Sequence, residues 1–445
     1  MTEHVKINRR QFLQAGAVAV GGGMLLLNSS VVEAEAWAAG PGRSGSSHIS
    51  DEQEGPMELT LKRSLDLAGQ HLLGMLNPED NYLPYWALMV QQDYKAQMNV
   101  VWPAHNIGRW WDAMLRLEDA VGFRIPKKAE AAMLANTHRF FDNPDHICIS
   151  PDPKAIWELH SLREGLLALN ALARWRKNDW AASQGQKMIL SIAERLRDDG
   201  TWDLAKFDAT QKDRQLFYPP DACESHGRML EALVWFYETT GDLEALRLGD
   251  RIARWHFENT TQPDGGINKS AKADHMHSYL GTLRGLLLWG QMTRQHEYLA
   301  RVADTYRTTV RSLVHESGYT SHNLKESFPE TTSPGDAAQI ALWLSREGYG
   351  EFLDDAERLV RARLLPSQIV TSPPLRPTVD DGKDRHRDLD KRVIGGYGGC
   401  HTKPHGGKQG VTDVTAAGVH TLIDIYKHVA VTEGGQLTVL FHMAY

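Results

Sequence analysis

The sequence contains only three cysteines, Cys148, Cys223 and Cys400, in 445 residues. This number is too small, and the spacing too wide, for a framework of disulfide bonds, and the odd count leaves at least one thiol free. The chain also lacks a block of basic residues, and its formal net charge is -7. Without a positively charged patch, the sequence predicts neither nucleic-acid binding nor attraction to an anionic membrane surface.

Long apolar runs are scarce as well, and the one near the N-terminus is short. Residues 8–13 read NRRQFL, the glycine-rich apolar segment 15–27 follows, and an A-x-A sequence stands at 34–36. The segment is too short to cross about 30 Å of hydrocarbon, and the pattern is typical of a twin-arginine export signal. We therefore predict a signal peptide at 1–36 and a flexible Gly/Ser-rich linker at 37–57.

Export would proceed through the twin-arginine machinery, so the expected location is the periplasm or the extracellular space. Once the signal peptide is removed, the sequence predicts no stable insertion into a membrane. The twin-arginine route carries folded proteins, and a bound metal is compatible with it.

Beyond the linker, apolar residues recur at three- and four-residue spacing, and alternation of the strand type is almost absent. Tight polar turns recur roughly every 55 to 60 residues, for example in RWRKNDWAASQGQKM and YETTGDLEALRLGD. This is the spacing of a helical-pair repeat. The pattern predicts an all-α (α/α)6 toroid of six hairpins at 58–430, then a short C-terminal strand or tail at 431–445. An open superhelical solenoid is the alternative. The twelve predicted helices lie near 58–75, 105–121, 126–142, 157–176, 179–198, 222–239, 242–259, 275–293, 296–314, 335–346, 349–363 and 412–428.

The links between the predicted hairpins are long, whereas the turns inside them are short. All the long links must lie at one end of a ring, where the inner helices begin, and function is usually built from such loops on a rigid scaffold. Polar and aromatic residues gather at these helix starts. The candidate substrate-binding residues are Trp102, His105, Arg109, Trp110, Trp111, His160, Arg163, His275, His277 and His401.

Glycoside hydrolysis requires two carboxylic groups that face each other across a pocket with aromatic walls. Several carboxylates at the helix starts meet this requirement by location, and their positions do not select one pair. The candidate catalytic residues are Glu158, Glu224, Glu330, Asp336 and, for orientation or proton transfer, His226.

Two cysteine-containing clusters at the same end allow a second chemistry. Cys223, Glu224, Cys400 and His401 form a candidate ligand set for a divalent metal such as zinc, although the close-spaced zinc signatures are absent. A small buried hydrophobe is the alternative interpretation of Cys223.

Two stretches resemble a known family. ESHGRMLEALVWFYETTGDLEALRLGDRIA is similar to a segment of the bacterial β-L-arabinofuranosidases and their six-hairpin relatives. SGYTSHNLKESFPETTSPGDAAQIALWL, followed by FLDDAERLVRARLLPSQI, resembles a later region of that family. The resemblance extends over residues 60–445 and implies the six-hairpin toroid, with a zinc-held cysteine nucleophile in the family's active site.

The resemblance breaks down at the zinc ligands. Cys400 stands near the family's Cys-Cys pair, but its neighbours here are Gly399 and His401. The family's Glu-x-Cys falls near Gly335 to Ala337, where this chain has Gly, Asp and Ala. The family's zinc site is therefore not preserved in its known form.

Three functions remain open at the level of sequence. The first is a glycoside hydrolase that uses paired carboxylates on an oligo- or polysaccharide. The second is a polysaccharide lyase or sugar isomerase on the same fold, for which histidines and arginines matter more. The third is a non-catalytic carbohydrate-binding protein, because the fold alone does not decide between these.

Overall fold

The structure is a computed structural model. It describes residues 60–207, 216–217, 222–268, 275–321, 331–399 and 407–444, all within the compact unit Glu58–Tyr445. The side chains of 157, 158, 160, 216 and 217 also lie outside the description.

Twelve helices of seven residues or more run through the described part of the chain, close to the predicted positions. They are α1 Leu61–Gly74, α2 Pro103–Val121, α3 Lys127–Phe141, α4 Leu162–Arg176, α5 Asp179–Arg195, α6 Met229–Thr240, α7 Leu243–Asn259, α8 Met276–Thr293, α9 His296–Thr305, α10 Ser333–Arg346, α11 Leu353–Leu359 and α12 Thr412–Lys427. Three π-helical turns adjoin them at Cys223–Gly227, Tyr306–Val310 and Val360–Leu364.

Six of these helices form a closed inner ring. Each inner helix packs against the next inner helix: α2 against α4, α4 against α6, α6 against α8, and α8 against α10. The last one, α12, packs against both α10 and α2 and so closes the ring. The outer helices cover this ring: α3 lies on α2, α5 on α4, α7 on α6, α9 on α8 and α11 on α10, while α1 lies against α12. The (α/α)6 toroid is therefore confirmed, and the open solenoid is not the fold.

Local sequence explains the short turns inside the hairpins. Gly241 adopts a φ of 73° at the end of α6, in the left-handed region that favours glycine. Asp242 then caps α7, because its side chain accepts a hydrogen bond from the backbone N–H of Ala245. Asn178 caps α5 in the same way, through the N–H of Ala181. A chain that ends one helix and caps the next within two residues must reverse direction there.

A small sheet joins the segment between α1 and α2 to the segment between α11 and α12, where no strand was predicted. Its strands are β1 Ala87–Val90, β2 Lys95–Asn99, β3 Arg376–Pro377 and β4 Gly407–Gln409, in the order β3-β2-β1-β4. β1 pairs antiparallel with β2 and β4, and β2 pairs parallel with β3. Because the strands are two to five residues long and come from distant parts of the chain, periodicity does not reveal them.

The remaining extended segments are short. The C-terminal segment forms a hairpin of β5 Ala430–Glu433 and β6 Gln436–Val439, and two-residue pairs join Leu76–Asn77 to Leu83–Pro84 and Trp157–Glu158 to Leu216–Phe217. Among the described helices, none has both the length and the apolar character needed to cross a membrane.

The inner ring depends on a close approach of α2 and α4, which Gly108 permits. A Cβ atom at this position would lie 2.0 Å from the carbonyl oxygen of Glu164. We expect Gly108→Ala to lower the free energy of unfolding by about 3 kcal/mol, because backbone must move to relieve the overlap. Urea unfolding measures the change. Gly350→Ala is the control, since no atom lies within 4 Å of its added Cβ; equal stability of the two variants would contradict this packing.

Candidate active site

The starts of the inner helices meet at one end of the ring, and buried charged groups connect them. Glu164, on α4, accepts hydrogen bonds at Oε1 from Arg163 at 2.8 Å and from Arg228 at 2.5 Å, and Arg109 Nε lies 3.3 Å away. Burial alone would raise the pKa of Glu164, but Arg228, His105, Arg109 and Arg163 together hold it well below its ordinary value. Glu164 is therefore an ionised anchor for three inner helix starts.

The contacts continue around the ring from Arg163. Arg163 Nε donates to Glu231 of α6 at 2.8 Å, and Glu231 Oε2 lies 3.0 Å from Arg284 Nη2 on α8. Arg284 Nη1 lies in turn 3.0 Å from Asp336 Oδ1 on α10. All of these side chains are buried.

His277 completes the series. Its Nδ1 lies 2.5 Å from Asp336 Oδ2, and its Nε2 lies 2.7 Å from Arg109 Nη2. The contacts therefore return to Arg109, where they began. We call this set the buried charge circuit; it contains three guanidinium groups, three carboxylates and one imidazole. Its members are Arg109, Glu164, Arg163, Glu231, Arg284, Asp336 and His277.

The two partners of His277 fix its tautomer. Arg109 can only donate, so Nε2 must carry the lone pair, and Nδ1 therefore carries the hydrogen that it donates to Asp336. Burial, and then the charges of Arg109 and Arg228, hold the pKa of His277 well below 6.5. His277 is thus a neutral imidazole at pH 7, with a carboxylate behind it and a basic nitrogen turned to Arg109.

His105 has a related position one helical turn before Arg109 on α2. Its Nδ1 lies 3.7 Å from Glu164 Oε2, and its Nε2 lies 3.5 Å from Asp413 Oδ2 on α12. The Asp413 side chain is 19% exposed, and its Oδ1 accepts a hydrogen bond from Trp86 Nε1 at 3.1 Å. The edge of the Trp86 ring meets Trp102, with the ring centroids 5.2 Å apart.

A second partly exposed carboxylate stands at another helix start. Glu224, in the π-helical turn before α6, lies 3.9 Å from His275 Nδ1, which is also 2.9 Å from Ser278 Oγ. The side chains of Glu224 and His275 are 12% and 23% exposed. These two side chains are more accessible than those of the charge circuit.

The structure separates the other predicted residues into two groups. Trp110 and Trp111 are fully buried, and their indole N–H groups donate to Leu72 O and to Thr137 Oγ1. They belong to the core and present no ring face to a sugar. The predicted residues Glu158, His160, Glu330, Cys400 and His401 lie outside the described side chains.

His226 lies apart from the charge circuit. One ring nitrogen is 3.1 Å from Gly200 O, and the other is 3.0 Å from His256. Burial lowers the pKa of His226 to about 4. Both nitrogens are held by neighbours within the protein, so this geometry favours a structural role.

The predicted zinc ligands are only partly described. Cys223 is fully buried, as the alternative interpretation expected, and Glu224 follows it in the chain. Within the described ranges, no group of three or more His, Cys, Asp and Glu side chains has an arrangement that would hold a metal ion. Asp336, at the place of the family's Glu-x-Cys, is bound to His277 and Arg284 instead. These residues do not fit the zinc set that the family resemblance implies.

The sequence analysis did not identify Glu231, Arg284, Trp86 or Asp413 as candidate site residues. Glu231 and Arg284 had a detectable signal, because each is a single charge inside an apolar run, MLEALVWF and GTLRGLLLW. A charge in such a run requires a buried partner of opposite sign. Trp86 stands outside the helical periodicity and gave no comparable signal.

Solved structures share this architecture. The unsaturated glucuronyl hydrolase of Bacillus sp. GL1 matches with a TM-score of 0.56 and 13% identity, over 82% of this chain and 96% of its own. The cellobiose 2-epimerase of Spirochaeta thermophila matches with a TM-score of 0.59 and 12% identity, over 83% and 96%. A sugar epimerase from a ruminal bacterium has a TM-score of 0.56 and 10% identity, over 82% and 97%.

These matches establish the toroid of the six-hairpin glycosidase type as the fold of this chain. No protein-family model matches the sequence, and no curated protein does. None of the three structures named is a β-L-arabinofuranosidase, so that closer resemblance stays a prediction.

Glu164 supports the whole helix-start end, which makes its charge testable. We expect Glu164→Gln to lower the free energy of unfolding by about 3 to 5 kcal/mol, because it leaves three buried guanidinium groups without their shared counter-charge. Asp66→Asn is the control: it breaks an exposed ion pair with Lys62 and should cost less than about 0.5 kcal/mol. Chemical denaturation measures both variants. Similar losses of unfolding free energy in the two would show that the charge of Glu164 does not stabilise this end of the ring.

Buried neutral histidines predict a loss of stability in mild acid. Burial lowers the pKa of both His71 and His226 to about 4, whereas an unfolded histidine titrates near 6.5. The unfolded state therefore binds more protons below pH 6.5, and each histidine should remove roughly 2 kcal/mol of stability between pH 7 and pH 5.

Urea unfolding at several pH values measures this slope. His71→Gln should make the slope less steep, because the variant lacks one of the two titrating imidazoles. The amide of glutamine can still donate to Arg392 O, the partner of His71 Nδ1, so the fold should be kept. His296→Gln, at an exposed position, should leave it unchanged. Stability that is constant from pH 7 to pH 5 would rule out the proposed linkage.

Proposed function

We propose that this chain is a carbohydrate-active enzyme that epimerises or isomerises a reducing sugar by proton transfer between histidines. The observation that carries the proposal is that Arg109 contacts His277 directly and contacts Glu164, the same carboxylate that lies beside His105. Each histidine has a carboxylate behind it: Glu164 for His105 and Asp336 for His277. Proton transfer at a carbon beside a carbonyl requires a base, a proton donor and a cation for the oxygen that becomes negative.

His277 is the proposed base, because the burial and the arginines that lower its pKa keep its ring neutral, with a lone pair on Nε2, at pH 7. When a sugar oxygen takes the N–H of Arg109, the lone pair of His277 Nε2 becomes available for a proton from the adjacent carbon. The electron pair of that C–H bond forms a C=C bond, and the carbonyl oxygen becomes an oxyanion beside Arg109. Asp336 stabilises the imidazolium that forms, as a carboxylate behind a catalytic histidine does.

His105 is suited to return the proton. Its ring lies between two carboxylates, Glu164 and Asp413. Return to the opposite face of the same carbon gives an epimer. Return to the former carbonyl carbon gives an isomer, if the proton of the adjacent hydroxyl passes to the former carbonyl oxygen and a new carbonyl forms there. Trp86 and Trp102 supply aromatic surface next to this site.

The test is solvent-deuterium exchange. The protein is incubated in D2O with reducing sugars, and incorporation beside the carbonyl is followed by NMR. His277→Gln should abolish exchange, and Asp336→Asn should lower kcat by about 10² to 10⁴ with little change in KM. His138→Gln, on an outer helix, is the control. Absence of exchange for every sugar, or full exchange in His277→Gln, would refute the proposal.

A glycoside hydrolase is the second candidate, because Glu224 and Asp413 are partly exposed carboxylates near the site. Asp336, another predicted catalytic carboxylate, is held between His277 and Arg284 and is 1% exposed, so it is a poor candidate for this pair. Release of an aryl group from aryl glycosides, lost in Glu224→Gln, would favour this candidate over epimerisation. Loss of activity in the presence of a chelator would indicate a bound metal, and unsaturated products would indicate a lyase.

We also propose export by the twin-arginine machinery to the periplasm or beyond. The support is the NRRQFL motif at 8–13, with the apolar segment and the A-x-A site after it. These residues lie outside the described part of the chain.

A further inference from the structure

A cavity of about 800 Å³ opens beside the candidate site, at the same end of the ring. Its walls come from the segment that begins α2, from the end of α3 and from the link that leads to α4. The lining residues used below are Asp80, Val100, Trp102, Arg139, Asp152 and Lys154. The volume lies within the range typical of ligand pockets.

Trp102 belongs to both the cavity and the candidate site. It lines the cavity, its ring meets Trp86, and its centroid lies 6.5 Å from that of His105. The backbone of Trp102 has φ 53° and ψ 56°, a left-handed conformation that a bulky side chain rarely adopts. Such strain persists where the surrounding structure requires it, often at ligand sites. The cavity and the candidate site therefore share an aromatic wall.

The chemistry of the cavity suits a neutral sugar. Leu83, Val101, Trp102 and Phe140 give it an apolar surface, against which the C–H face of a pyranose packs. Two acidic and two basic side chains, with no net charge among them, provide donors and acceptors for hydroxyl groups. This balance favours neither a polyanionic chain nor a purely apolar ligand.

We infer that this cavity binds the second and further sugar units of an oligosaccharide whose reducing sugar occupies the site at His105 and His277. The substrate is then at least a disaccharide, and Trp102 lies at the junction of the two units. This inference rests on the proposed function for the identity of the reacting sugar, but the binding it predicts is measured separately.

The experiment uses the full chain and a panel of neutral mono-, di- and trisaccharides of glucose, mannose, xylose and arabinose. Binding is followed by tryptophan fluorescence, and reaction by solvent-deuterium exchange and by release of monosaccharide. We expect at least one disaccharide to bind about tenfold or more tightly than its monosaccharide.

Val100→Trp fills the cavity from its rim and should reduce this preference by about tenfold. Val370→Trp is the matched control, because Val370 and Val100 are exposed to similar extents, 48% and 44%, and Val370 is not one of the lining residues. The control should keep the preference. Equal binding of mono- and disaccharides, a preference that survives Val100→Trp, or no binding of any sugar would overturn the inference.

The two proposals fail in different ways. A disaccharide preference that Val100→Trp removes, without exchange or hydrolysis, supports the cavity and contradicts the enzymatic function. Exchange on monosaccharides without a preference for longer sugars supports the function and contradicts the cavity. Tighter binding of a plain alkyl chain than of any disaccharide would identify an apolar ligand site and overturn the inference.

Discussion

The structure depends on the buried charge circuit, the series of contacts that leaves Arg109, passes through four further inner helices and returns to it. A buried ion pair is stabilising only when each group has its partner in good geometry, because desolvation offsets much of the attraction. In this circuit each carboxylate serves at least two cationic or imidazole groups, so no member can be placed without its neighbours. The circuit therefore makes the relative positions of the inner helices specific, while apolar packing supplies most of their stability.

The same arrangement links the fold to the proposed chemistry. His277 closes the circuit and is also the proposed base, and Arg109 holds both Glu164 and His277. A site built from structural charges is pre-organised, because its groups are oriented before a ligand arrives. A ligand would first meet the polar side chains that are more exposed than the circuit, which are Glu224, His275 and Asp413.

Sequence periodicity predicted the helices well because the inner and outer faces impose a strong three-to-four spacing, and turns such as Thr240 to Asp242 carry explicit stop and start signals. It did not predict which charges pair, since Arg163, Glu231 and Arg284 lie 53 or more residues apart and meet only when the ring closes. For Trp110 and Trp111 the sequence predicted a function that the structure does not support. An aromatic pair at a helix start is typical of a sugar-binding surface, and only the packing around the pair shows that it belongs to the core. The strands near Trp86 were not predicted because they are only two to five residues long, and because two of the four come from a distant part of the chain.

The ring is closed by α1 and α12, the first and last helices of the toroid. Since α12 carries Asp413 and completes the contact with α2, the proposed catalytic centre cannot be complete during synthesis until this last inner helix has left the ribosome. Contacts between such distant segments form slowly. An unfinished chain would thus hold every member of the buried charge circuit yet lack Asp413 and the helix that closes the inner ring, so the site would be completed late.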